Sequence, residues 1–162
     1  MQGQQMDGDD ASAAANPCAM TLVSVGYEGH EIESFVEDLQ RACVSYLVDL
    51  RLTPISRKRG FSKTRLAESL ASKDIKYLHL RALGNPKDNR DAFRQGAATG
   101  RQRYRDVLSS GDAAEAMRLL EEMTGSETVA LLCFEHAHET CHRSLVTEAV
   151  VAARPELELV QL

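Results

Sequence analysis

Between Leu131 and Leu145 an apolar run breaks into a dense set of reactive side chains. Cys133, Glu135, His136, His138, Glu139, Cys141, His142 and Arg143 follow one another over eleven positions. Such a set could do three kinds of chemistry. Thiols become nucleophiles as thiolates, which a neighbouring cation or a helix N-terminus stabilises. Imidazoles and carboxylates exchange protons. Thiols and imidazoles together are also zinc donors. Thr140 is a candidate N-cap, which would put Cys141, His142 and Arg143 in the first turn of a helix. Free N–H groups there favour an anion. Arg143 stands only two residues after Cys141, which is not the spacing of a phosphate loop in a cysteine phosphatase. For zinc, the donors would be drawn from Cys133, His136, His138, Cys141 and His142, but no CxxC pair is present. Walker-type loops, GxGxxG runs and GxSxG elbows are absent as well.

The elements that must position these groups read as alternating strands and helices. Thr21 to Val25 is a short strand, followed by a turn at Gly26-Tyr27-Glu28-Gly29. Ile32, Phe35, Val36, Leu39 and Cys43 recur at helical spacing, predicting a helix over Glu31 to Ala42 with Cys43 facing the core. Tyr46 to Arg51 is a second strand. Ser62 is a candidate N-cap for a helix from Lys63 to Ser72. Ile75 to Leu80 alternates as a third strand. The polar, basic stretch from Asp88 to Gly100 predicts a long loop. A helix follows over Arg101 to Leu108. Another carries Met117, Leu120 and Met123, with Asp112 and Glu115 as its capping box. Thr128 to Phe134 is the fourth strand, the last long helix stops at Pro155, and Leu157 to Leu162 is a candidate fifth strand. Residues 1–19 are polar and low in apolar content, and predict a disordered tail carrying Cys18. The pattern implies an α/β fold in 20–162: one domain, three layers (α/β/α), around a mainly parallel sheet of four to five strands.

Parallel strands share one C-terminal edge, and that edge is where ligands bind in open α/β sheets. Each unusual polar cluster follows a strand. Tyr27 and Glu28 follow the first, and Asp49, Arg51, Ser56 and Arg57 end or follow the second. His79 ends the third, with Asn85 and Lys87 behind it. Cys133, Glu135, Cys141, His142 and Arg143 follow the fourth. The expected roles are acid–base or nucleophilic chemistry for Glu28, Asp49, His79, Cys133, Glu135, Cys141 and His142. Anion binding falls to Arg51, Arg57, Lys87 and Arg143.

Charge supports an anionic partner. The net charge is −5, yet Arg51 to Arg65 holds basic residues and no acidic one. That segregation predicts a positive face. The expected partner is an anionic small molecule or a nucleic-acid end. An alternative is a non-catalytic module binding nucleic acid or an acidic partner through residues 51–65 and the loop near Arg90 to Arg105, although few aromatics accompany the charges. The N-terminus has no signal-peptide pattern and no segment has membrane-spanning length, so a reducing cytoplasm with free thiols is expected. Nothing in the sequence names a cofactor or an oligomeric state.

Several of these motifs occur together and in order: Gly26-Tyr27-Glu28-Gly29; Asp49-Leu50-Arg51 with Pro54-Ile55-Ser56-Arg57; Gly60-Phe61-Ser62; His79-Leu80 with Leu83-Gly84-Asn85-Pro86-Lys87; and Leu132-Cys133-Phe134-Glu135 with Cys141-His142-Arg143. From Val23 to Leu145 the chain resembles the DUF488 family, small bacterial proteins of unknown function. The resemblance implies one site shared by these motifs and assigns no reaction. It also places His136 and His138 in a variable spacer, which weakens the zinc alternative.

Overall fold

A computed structural model describes residues 20–162. The predicted tail and Cys18 lie outside those residues. Five strands form one sheet: β1 (Thr21–Gly26), β2 (Tyr46–Asp49), β3 (Lys76–His79), β4 (Val129–Cys133) and β5 (Glu158–Gln161), in the order β3-β2-β4-β1-β5. Every pairing is parallel. The α/β expectation therefore holds, with five strands.

Side-chain alternation builds a layer on each face. In β4, Ala130 and Leu132 point to one side with Val23, Val25 and Leu47. There they meet Phe35 and Leu39 of α1 (Ile32–Arg41), and Leu66 and Leu70 of α2 (Lys63–Ala71). Val129, Leu131 and Cys133 point to the other. They meet Tyr104 of α4 (Ala98–Leu108), Leu120 of α5 (Gly111–Met123) and Val146 of α6 (Arg143–Ala153). A strand buried on both faces reads as a continuous apolar run, as β4 does.

The crossover geometry fixes where a site can form. β2 leads through α2 outward to β3, while β4 leads through α6 to the opposite edge at β5. The chain thus leaves these two neighbouring strands in opposite directions and over opposite faces. A crevice opens between their C-terminal ends, and such a switch point is the usual ligand position in this architecture.

Several local expectations change. Helix α1 stops at Arg41, and Cys43 sits exposed beyond it at φ 58° instead of facing the core. The Val44 amide donates to the Leu39 carbonyl and the Cys43 amide to Gln40, the two bonds of a Schellman ending. The same ending recurs after α2, with Asp74 at φ 57° and Ile75 bonded to Leu70. Ser62 occupies its N-cap position, but its Oγ donates to the Ser56 carbonyl. Helix α5 is preceded by Ser110 and has no side-chain cap, so the Asp112–Glu115 box does not form. Residues 88–100 are not one loop. They include the short helix α3 (Arg90–Arg94) and the start of α4. Phe93 and Tyr104 bury at the same contact, edge to face at 5.9 Å, which pins this basic segment to the core.

Gly26 ends β1 against the loop that follows β4. A Cβ there would overlap the carbonyl of Glu135. The contact is with backbone, so no side-chain rotation relieves it. Gly26→Ala should lower stability by about 2 kcal/mol or more, read as a shift in urea midpoint. An unchanged midpoint would mean that the 134–142 loop moves freely.

Candidate functional site

The loop from Phe134 to His142 leaves β4 and returns, so that Cys141 comes back beside Cys133. What turns it is Arg143. This arginine is 1% exposed. Its Nε donates to Ser24 Oγ at 2.6 Å, and its two terminal nitrogens donate to the carbonyls of Glu135 at 2.6 Å and His136 at 3.0 Å. All three acceptors are neutral. From the other side, the Glu28 carboxylate accepts the His136 amide at 3.0 Å. Arg101 donates to the Glu139 carbonyl at 3.1 Å. The loop is therefore held from three directions.

His138 closes the same network. Arg143 can only donate to Ser24, so the Ser24 hydroxyl gives its proton to His138 Nδ1, 2.7 Å away. His138 Nε2–H then faces Thr147 Oγ1 at 3.4 Å, whose own proton goes to the Ser144 carbonyl. Burial and the charge of Arg143 lower the His138 pKa, which keeps the ring neutral.

Thr140 does not cap α6. It lies in a tight turn over His138–Thr140, Cys141 is extended, and α6 begins at Arg143. The reactive side chains thus precede the helix instead of forming its first turn. Cys133 and Cys141 are free thiols, each 1% exposed. His142 Nδ1 lies 3.8 Å from the sulfur of each. Its Nε2–H donates to the Leu50 carbonyl at 3.2 Å, across the crevice between β2 and β4.

Electrostatics separates the two thiols. Burial alone would raise the Cys141 pKa. The hydrogen bond from Cys133 and the charge and hydrogen bond of His142 outweigh it, with Arg143 adding, so Cys141 lies well below a thiol's ordinary value. Burial and the charge of Cys141 push Cys133 well up. Burial would lower His142, but Cys141 and the Leu50 carbonyl hold its proton. The cluster thus pushes its two thiols apart, Cys141 toward the thiolate and Cys133 toward the thiol, beside an imidazole drawn toward its protonated form.

Cys133 and His142 lie at the bottom of a cleft of about 210 Å³. Leu52, Thr53 and Ile55, after β2, form one wall. Arg90, Phe93 and Arg94 of α3 form another. Tyr27, Arg51, Asn85 and Glu135 from the predicted set also line it. Cys141, Asp49 and Arg143 are buried and stand behind the lining. Glu28, Ser56, Arg57, His79 and Lys87 lie outside it. Ser56 belongs to the turn fixed by Ser62, His79 bonds the Arg51 carbonyl at 2.7 Å, and Arg57 and Lys87 are exposed.

Arg51 reaches the cleft already paired. Its Nε and one terminal nitrogen donate to the two oxygens of Asp49 at 2.9 and 2.7 Å, and the other terminal nitrogen to the Phe61 carbonyl at 2.7 Å. Burial would weaken this cation, but Asp49 more than compensates and its pKa is raised. Asp49 also accepts from Tyr77 at 2.6 Å, whose phenol is pushed up by burial and by that bond. A fully engaged carboxylate has no free lone pair for acid–base work. Two further guanidinia of the cleft wall are on α3. Arg90 is exposed and in no ion pair among the described residues, whereas Arg94 meets Glu135 at 3.3 Å and Asp91 at 3.6 Å. Asn85, held at Oδ1 by Asn89, has its Nδ2 without a protein partner among the described residues. Arg90 and Arg94 lie in the stretch expected as a basic loop, where they belong to the non-catalytic alternative and not to the expected site. The signal that finds them is Phe93, a large apolar residue isolated among charges.

The set of five zinc donors also divides. His136 is exposed and His138 is spent on Ser24 and Thr147, whereas Cys133, Cys141 and His142 converge.

A family model described as a domain of unknown function, DUF488, matches residues 31–150. No curated protein and no solved structure matches.

Two outcomes follow from this geometry. Arg143→Lys keeps the charge but loses the planar fork, and should cost about 2–4 kcal/mol, from two charge-assisted hydrogen bonds; chemical denaturation measures it. His138 has a folded pKa below its unfolded value. The unfolded chain therefore takes up a proton first, and stability falls as pH drops below about 6.5. Denaturation midpoints at about pH 5.5 and 7.5 should differ less in His138→Gln than in the parent; an equal difference would remove His138 from the acid response.

Proposed function

Since the chain belongs to the DUF488 family, a domain of unknown function matched over residues 31–150, we propose a reaction from the site itself: an enzyme acting on a small phosphate-bearing or otherwise anionic substrate. One observation carries the proposal. The thiol–imidazole cluster of Cys133, Cys141 and His142 lies under a cleft at the switch point, and that cleft has guanidinia on its wall. A purely structural cluster would have no use for an unpaired cation opposite it.

The roles divide by position. Arg90, Arg94 and the Asn85 amide hold the anion, because each presents a donor to the cleft. Tyr27 and Arg51 set the shape of the wall, with Asp49 and Tyr77 fixing Arg51 from behind. Cys133 and His142 face the reacting atoms, and Cys141 adjoins them from the buried side. Glu135, 19% exposed and bonded to Arg94, is the one carboxylate on the lining among the described residues. A substrate anion that draws Arg94 away would release it for proton transfer.

Calorimetric titration of the full chain with inorganic phosphate and with nucleoside monophosphates tests the anion site. Arg90→Ala should weaken binding by about tenfold, the loss of one charge-assisted contact. Cys133→Ser should leave binding and abolish any turnover found with the parent. Binding that ignores Arg90 would overturn the assignment.

A further inference from the structure

We propose that Cys133, Cys141 and His142 form a three-ligand site for a soft or borderline divalent cation, zinc above all, with a fourth position open to the cleft. This deepens the reading above and rests on it for the use of that open position; the binding of the ion itself does not.

The argument begins with which histidine nitrogen is available. A carbonyl oxygen only accepts, so the 3.2 Å contact with Leu50 places a hydrogen on Nε2 of His142. That leaves Nδ1 as the donor nitrogen, and it lies 3.8 Å from each sulfur. The three donor atoms all lie within 4.8 Å of one another. Zinc at about 2.3 Å from sulfur and about 2.0 Å from nitrogen, in a tetrahedral shell, sets its donors roughly 3.5–3.8 Å apart. Cys133 Sγ is also 3.5 Å from Nε2, so it leans toward the ring face. A turn about its Cα–Cβ bond is the adjustment the ion requires.

The surroundings match a metal site in three further respects. A backbone carbonyl on the far nitrogen is the usual means of fixing a ligating histidine's orientation, and Leu50 supplies it. The ligands are mounted on rigid elements: Cys133 ends β4, His142 immediately precedes α6, and the Cys141 amide is bonded to the His138 carbonyl at 3.2 Å. The donors are two thiols and an imidazole, a set that favours zinc over magnesium or calcium. Two thiolates balance a divalent charge, and the ion replaces two protons, the one on the Cys133 thiol and the one on His142 Nδ1, while Nε2 keeps its hydrogen on the Leu50 carbonyl.

The number of ligands indicates use. Structural zinc sites close with four protein ligands, whereas catalytic sites keep three and leave a position for water or substrate. Here Cys133 and His142 line the cleft while Cys141 is behind them, so the missing corner faces the ligand space. An anion held by Arg90 would approach that corner.

The test uses the full chain, reduced and stripped of metal with a chelator, titrated with cobalt(II) and followed by absorption. One cobalt per chain with sulfur-to-cobalt charge-transfer absorption is expected, displaced by zinc(II). Cys133→Ser, Cys141→Ser and His142→Ala should each weaken binding more than tenfold, while His136→Ala should not. In the parent chain, zinc should slow iodoacetamide labelling of both Cys133 and Cys141 relative to stripped protein, which keeps the test decisive if a variant fails to fold. Absence of the charge-transfer band, or unprotected cysteines under saturating zinc, would overturn the site. Phosphate titration of the stripped chain is read separately. If phosphate binds and the metal does not, only the metal site fails; if the metal binds and phosphate does not, only the anion reading fails.

Discussion

A single buried guanidinium organises the reactive end of this protein. Among the described residues Arg143 has no carboxylate as a hydrogen-bond acceptor; it holds two backbone carbonyls and a serine hydroxyl. A buried cation is tolerated only when its donors are used, and here using them means bending the 134–142 loop around it. That bend carries Cys141 back to Cys133. The charge left over is felt by the cluster, where it helps to lower Cys141 and opposes the rise that burial gives Cys133. One side chain therefore sets both the geometry of the loop and the electrostatics of the thiols.

The second buried arginine works differently. Arg51 is neutralised by Asp49 and shapes the cleft wall through the Phe61 carbonyl and Tyr27. Tyr27 stacks on Phe61 at 4.5 Å, and Phe61 packs on Phe35, so this wall continues into the core. The two arginines sit on the two sides of the crevice that the crossover directions open. One is paired and structural in its charge, the other unpaired and influential. Sequence spacing alone treats them as equivalents.

The arrangement of strands was legible because β1 and β4 are apolar runs and because polar groups cluster after each strand. Knowing that parallel strands share an edge was enough to bring Tyr27, Arg51, Asn85, Cys133, Glu135 and His142 to one place. The start of α6 was not legible. Thr140 has the right type for a cap, but the tertiary bonds of Arg143 hold residues 138–141 in a turn and an extended segment instead. Cys43 fits a helical period, yet the chain must reverse into β2 within a few residues, and the Schellman ending takes it off the core. The 88–100 segment misled for another reason. Its helix is stabilised by Phe93 meeting Tyr104, a contact between residues eleven apart, with Asn89 bonded to the Gly100 carbonyl. Local periodicity has no access to such a pairing.

The two left-handed helix endings at Cys43 and Asp74 have a mechanical consequence. Each returns the chain from helix to strand within a few residues, so the α1–α2 layer is stitched to the sheet with almost no slack. The opposing wall is built otherwise. Helix α3 has five residues, too few to persist without its anchors, and several of its ties are side-chain bonds and an arginine–aromatic contact near the surface. The molecule thus has a stiff jamb on one side of the crevice and a light leaf on the other. The leaf bears Arg90 and Arg94, so the cations of the cleft stand on the wall whose hold on the sheet runs through side chains, Phe93 against Tyr104 above all.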